Sequence, residues 1–281
     1  MDYDFKDKTV IITGGSEGVG AATARKFAEY GANLVLVARS KRNLDRIAEE
    51  LRGKTRVETV AMDVSDTVAC VNLFKKAEFE FGNINILINN AGYHERGPVE
   101  SVSVEDLSSM IDVNLKAPII LCKLAIKYLK QAGGGAIINV ASLAGRTPVP
   151  LAATYSATKF GLRVFTFALG EELRGSDIKI AAVSPGPIDT GFIMANIDDV
   201  TDVTFSQPMS TAEEVAQEIL NLTANTKRER SMPPISGLLT TTMYLFPWLG
   251  RLVLPLMIRK GRNVKRKLKA QMRQMEEEQG R

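Results

Sequence analysis

Residues 9–20 read TVIITGGSEGVG, and this stretch decides the architecture. Thr9–Ile12 is an apolar run too short for a helix, and it reads as a buried strand. It passes into Thr13-Gly14-Gly15-Ser16-Glu17-Gly18-Val19-Gly20, and helical periodicity follows over Ala21–Tyr30, with Gly31 as the stop. Glycines let the backbone turn tightly and let a phosphate approach the amides. The helix N-terminus adds free N–H groups and a partial positive charge. Strand, glycine turn and helix in this order suit the pyrophosphate of a dinucleotide, with an ordinary strand-to-helix turn as the alternative. No Lys-Ser/Thr follows the glycines, which excludes a P-loop. Glu17 fits an anion site only if its carboxylate faces solvent.

The same rhythm extends outward. Strands are predicted at Asn33–Val37, Arg56–Ala61, Ile84–Ile88, Ala136–Val140 and Lys179–Val183. Helices are predicted at Lys41–Leu51, Thr67–Phe81, Val104–Lys130 with a kink at Ala117-Pro118, Tyr155–Arg174 and Thr211–Thr223. Thr211 and Glu214 have capping-box spacing. Continuous Val/Ile/Leu strands, each followed by a helix, imply an α/β fold: a doubly wound, Rossmann-type parallel sheet with helices on both faces. The pattern divides the chain into a catalytic domain over 1–231 and a C-terminal extension over 232–281. A last strand is expected near Met232–Ser236.

The end of the second strand bears on the cofactor. An acidic residue there would hold ribose hydroxyls, whereas the chain has Ala38, then Arg39, with Lys41 and Arg42 nearby. A carboxylate would repel a 2′-phosphate; an arginine binds one bidentately. The expectation is NADP(H), and the alternative is an Arg39 that merely solvates a strand end.

Composition narrows the classes. With 45% hydrophobic and 24% charged residues the chain is an ordinary globular one, so disorder is not the default. Residues 259–281 carry nine Lys/Arg and three Glu, so the body up to 258 has a net charge of −2 and gives no reason to expect nucleic acid. Cys70 and Cys122 suggest neither a disulfide framework nor a metal site, and the single histidine, His94, has no ligand partner; it reads as a loop residue at a cleft rim. The acidic start lacks a signal-peptide pattern, so a cytoplasmic location is expected, on the cytosolic face of a membrane if the tail binds one.

Tyr155-Ser156-Ala157-Thr158-Lys159 opens a helix with Tyr155 and Lys159 on one face. A phenol has a reference pKa of about 10, and a nearby ammonium and an oxidised nicotinamide should both lower it. Tyr155 then becomes a candidate proton donor to a carbonyl oxygen. Ser142, just after the fifth strand, can hydrogen-bond that oxygen.

Together with Asp63, Asn89-Asn90-Ala91-Gly92, Asn114 and Pro185-Gly186-Pro187-Ile188-Asp189-Thr190, these motifs closely resemble the short-chain dehydrogenase/reductase family over about residues 7–225. The resemblance implies a catalytic tetrad of Asn114, Ser142, Tyr155 and Lys159. In it Asn114 anchors a water, Ser142 polarises the carbonyl, and Lys159 binds the nicotinamide ribose. It also implies cofactor contacts at Gly14, Ser16, Gly18, Val19, Gly20, Arg39, Asp63, Asn90, Tyr155, Lys159, Pro185, Gly186, Ile188 and Thr190, and a homo-oligomer.

The extension reads differently. Met232–Gly250 carries no charge but has Pro233, Pro234 and Pro247, and Leu252–Ile258 is apolar apart from Pro255. These prolines and Arg251 argue against a simple span, which needs roughly 20 apolar residues. Met257, Val264, Leu268, Met272 and Met275 recur at helical spacing among Lys and Arg, the pattern of an interfacial helix on an anionic membrane. Peripheral or monotopic membrane association is the preferred expectation; a soluble lid or oligomer contact stands beside it. Family members with such tails suggest a lipid-like ketone or alcohol, of 3-ketosphinganine or steroid type, as substrate. A soluble 3-oxoacyl-thioester reductase and a non-catalytic NADPH-binding scaffold are the competing functions.

Overall fold

The computed structural model describes residues 4–190, 197, 198 and 200–279, with side chains as far as Met272. The side chains of Arg273 and Met275, both counted in the expected tail helix, lie outside the described residues.

The chain alternates strand and helix. β1 (Thr9–Thr13), α1 (Gly18–Glu29), β2 (Asn33–Ala38), α2 (Lys41–Leu51), β3 (Val57–Ala61), α3 (Thr67–Phe81) and β4 (Ile86–Asn89) form the first half. α4 (Val104–Ile111), α5 (Ala117–Gln131), β5 (Gly135–Val140), α6 (Ala153–Glu172) and β6 (Ile178–Pro185) follow. The two-residue strands β7 (Ile188–Asp189) and β8 (Ser210–Thr211) pair with each other; α7 (Ala212–Ala224), β9 (Glu229–Met232), α8 (Pro234–Leu245) and α9 (Pro247–Gln279) complete the chain.

Among the described residues the main sheet has seven parallel strands in the order β3-β2-β1-β4-β5-β6-β9. Its period-2 alternation divides the apolar side chains between two cores. Val10, Ile12, Leu34 and Leu36 face α1, α2 and α7, while Ile11, Val35 and Val37 face α3, α5 and α6. This is the doubly wound arrangement expected from the sequence. Strand order reverses between β1 and β4, which opens a crevice at their C-terminal ends, where such folds bind ligands.

Four local expectations need correction. α1 begins at Gly18, not Ala21, because the Ala21 amide already donates to the carbonyl of Glu17, the N-cap, and so closes the first turn over the glycines. The long helix after Val104 is not continuous: it runs through a π-helical turn, Asp112–Lys116, before α5. The last strand is Glu229–Met232, not Met232–Ser236, and it pairs residue by residue with Ala182–Pro185. Its polarity concealed it. Half-buried Glu229 accepts from Arg146 and Arg163 and from the Ser184 hydroxyl, so its carboxylate is satisfied within the strand. Burial opposes ionisation of this carboxyl, but those donors outweigh it and its pKa is lowered.

The fourth concerns the tail. Val264, Leu268 and Met272 do not face outward; they pack on Ile197, Val200 and Phe205 of the body. The exposed face of α9 is the opposite one: Leu252, Leu256, Arg259, Asn263, Arg266 and Ala270 follow one another at spacings of three and four residues. Among the described residues no helix is long and apolar enough to cross a membrane.

Candidate active site

A cavity of about 980 Å³ lies over the C-terminal ends of the strands. Gly14, Ser16, Gly18 and Val19 from the β1–α1 turn line one end, with Arg39 and Asp63 beside them. Gly20 lies beneath: a Cβ there would overlap the Gly14 carbonyl, so only glycine lets the turn close on the helix. The side chain of Glu17, the N-cap of α1, makes no capping hydrogen bond and is exposed, so its carboxylate leaves the helix N–H groups free. Asn90 donates to the carbonyls of Thr13 and Gly14, and Thr13 Oγ1 accepts from the amides of Asn90 and Ala91. These contacts tie the glycine turn to the end of β4. Thr13 is a support that the sequence reading missed, because its partners lie more than 75 residues away.

Arg39 is exposed at the end of β2, just ahead of Ser40, whose hydroxyl caps α2 by accepting from Asn43 N. Burial opposes ionisation of Asp63, but hydrogen bonds from Ser65 and the positive charge of Arg39 outweigh it, and its pKa is lowered. Free helix amides, a glycine-only turn and a surface guanidinium make this end fit a dinucleotide phosphate group.

The other end holds the candidate chemistry. Ser142, Tyr155 and Lys159 line the same cavity. Lys159 Nζ donates to Val140 O at 2.9 Å and lies 5.7 Å from the centre of the Tyr155 ring. Burial brings the Lys159 pKa down to about 8. The expected lowering of the Tyr155 pKa is not what the protein alone produces. Burial pushes the phenol up, and the nearby Ser142 hydroxyl and the charge of Arg96 only partly offset it.

Pro185, Gly186, Ile188 and Thr190 form the wall beyond β6. Asn114 sits one layer back on the π turn, buried; its amide donates to Tyr93 O at 2.8 Å and its oxygen accepts from Tyr93 N at 3.0 Å. The wider turn lets Asn114 reach the 91–94 loop, and such π turns recur at functional sites.

His94 is not a rim residue. Its ring stacks on Tyr155 with centroids 4.3 Å apart and planes 15° apart. Burial, with the charges of Arg96 and Lys159, lowers its pKa to about 4, so the ring is neutral near pH 7. No sequence pattern could have found this pairing, because it depends on how the 91–96 loop folds over α6. Among the described residues no cluster could hold a metal ion.

Comparison with known proteins agrees with this geometry. Residues 8–201 match the short chain dehydrogenase family. An uncharacterized oxidoreductase of Staphylococcus epidermidis is 35% identical over 185 residues, covering 66% of this chain and 80% of that protein. An uncharacterized oxidoreductase of Staphylococcus aureus is 33% identical over 209 residues, 74% of this chain and 89% of its own. Sulfoacetaldehyde reductase 2 of Chromohalobacter salexigens is 35% identical over 187 residues, 66% of this chain and 74% of its own. The chain therefore belongs to the short-chain dehydrogenase family, as an oxidoreductase that works with a nicotinamide dinucleotide.

Proposed function

We propose that the protein is an NADPH-dependent carbonyl reductase for hydrophobic ketones or aldehydes, running in reverse as an alcohol dehydrogenase. One observation carries this: a single cavity has Arg39 and the glycine turn at one end and Ser142, Tyr155 and Lys159 at the other. When bound, the nicotinamide supplies or accepts the hydride. Ser142 donates to the carbonyl oxygen and Tyr155 passes it a proton. Asn114 holds the 91–94 loop and, on this reading, a water behind the site. Lys159 anchors the ribose. Asn90 keeps the glycine turn at its distance, and Arg39 grips the 2′-phosphate through paired charge-assisted hydrogen bonds. Leu143, Val149, Leu151, Val200 and Val203 line the far end, which suits an apolar substrate.

Residues 1–231 form the catalytic unit on this reading, and 232–281 an appendage. Leu238, Leu239, Trp248, Leu252 and Leu256 are exposed, and the α9 face continues into Arg259, Lys260, Arg266 and Lys267. An apolar face flanked by cations suits peripheral contact with an anionic bilayer. The buried free thiols Cys70 and Cys122 fit a reducing cytoplasm. Exposed Val104 and Ile111 on α4 and Val164 on α6 offer apolar surface for self-association as a homo-oligomer.

A second reading has its own observation. Arg96 lines the cavity, and one relative is a sulfoacetaldehyde reductase, so a small anionic aldehyde is the competing substrate class. The test is steady-state oxidation of NADPH and NADH with n-alkanals from butanal to dodecanal and with sulfoacetaldehyde. NADPH should be preferred, with kcat/KM rising along the alkanals, and Arg39→Ala should erase the preference by weakening NADPH alone. Equal use of NADH by the wild type contradicts the role of Arg39. Turnover of sulfoacetaldehyde above every alkanal contradicts the hydrophobic substrate.

A further inference from the structure

One wall of the far end of the cavity is built from residues that have almost no regular structure of their own. Val200, Thr201, Val203, Thr204 and Gln207 line it, and between them the backbone makes only one short 3-10 turn, Thr204–Ser206. A segment of this kind needs an external support to hold one shape. α9 supplies it from outside. Val264, Leu268 and Met272 pack on Val200 and Phe205. Lys265 Nζ donates to the carbonyls of Asp198 and Val200 at 3.0 and 2.6 Å. Arg262 pairs with Asp202 at 3.1 Å, and Lys269 pairs with Asp198. Gly261 is buried where the helix crosses the segment, and a Cβ there would overlap the Asp202 carbonyl oxygen. The helix has glycine at the point where its backbone meets the segment.

We propose that Gly261, Arg262, Val264, Lys265 and Leu268 are positioning residues for substrate: acting through 200–207, they set the shape of the far end of the cavity and hence which carbonyl compounds fit. The dinucleotide end, built on β1, α1 and β2, does not depend on them. The proposal rests on that far end being the substrate site. The C-terminal helix is then part of the catalytic unit, not only an appendage. Its inner face works on the cavity while its outer face stays free for a surface.

The test uses the full chain saturated with NADPH, as wild type, Gly261→Val, Lys265→Met and Lys265→Arg, read by hydrogen–deuterium exchange. In Gly261→Val and Lys265→Met, exchange at 200–207 should quicken at least ~10-fold, the factor for about 1.4 kcal/mol of lost support. Exchange in β1 and α1, and the affinity for NADPH, should stay within about twofold, because local opening is confined to the unsupported unit. Lys265→Arg, which keeps the charge and the donors, should restore most of the protection. With decanal, KM should rise in the first two variants more than kcat falls. Wild-type exchange at 200–207 in both Gly261→Val and Lys265→Met would overturn the proposal. If Gly261→Val fails to bind NADPH, Lys265→Met decides alone. Exchange needs no turnover, so a wild type inactive on every carbonyl compound contradicts the substrate assignment and leaves the positioning result readable.

Discussion

His94 shows what one side chain contributes that its neighbours in sequence do not announce. A lone histidine beside a loop has no constellation in the sequence, yet its ring lies flat on Tyr155 and so fixes the plane of the phenol. The ring is neutral near pH 7, since burial and two nearby cations lower its pKa to about 4. The sign follows: the folded value is below that of the unfolded chain, near 6.5. Stability associated with this group is therefore complete above about pH 6.5 and declines as pH falls towards 4. The prediction is direct because the chain has one histidine. Its ring-proton resonance should titrate in NMR with a midpoint near 4. A midpoint near 6.5 would mean that the ring is solvated and the stack absent. An inflection in the rate profile between pH 7 and 9 then belongs to other groups, of which Lys159 at about 8 is the first candidate.

Elements built on strong periodicity were legible in the sequence, and those built on partners were not. Apolar runs bounded by glycines gave β1 and β2 within a residue, and the bounds of α2 and α3 as observed. The π turn at 112–116 was hidden because its side chains continue a helical pattern while its hydrogen bonds slip by one residue. β9 was hidden because its half-buried carboxylate is satisfied by arginines from α6 and from the loop after β5. In α9 the sequence showed which residues share a face but not which face meets the body. The apolar stripe turned inward, and the outer face carries Trp248, Leu252 and Leu256 running into Arg259 and Arg266. That pattern predicts flotation with anionic liposomes at low salt, weakened but not abolished by high salt, since cations near the surface contribute about 1 kcal/mol each and are screened while apolar burial is not. Replacing Trp248, Leu252 and Leu256 by Gln should remove the salt-resistant part. No flotation of the wild type at low salt would contradict the bilayer assignment.

The fold joins these parts by bringing the strand ends to one crevice, so that residues 14–39 and 142–159 meet across a single cavity. Most of the candidate site was legible because its motifs sit in the turns that follow strands, and a parallel sheet sends all those turns to one edge. What the sequence could not give was the state of the groups there. Burial raises the pKa of the Tyr155 phenol, so the protein by itself holds that hydroxyl protonated near pH 7. A protonated phenol in the same cavity as Ser142 is the form that reduction of a carbonyl needs. Steady-state NADPH oxidation by Tyr155→Phe, with the best carbonyl substrate of the wild type, reads the role of this residue most directly. Turnover should fall at least ~100-fold, the usual contribution of general acid catalysis, with NADPH affinity retained because the ring and its His94 stack remain. Turnover within a few fold of the wild type would contradict the assignment of Tyr155 as the proton donor.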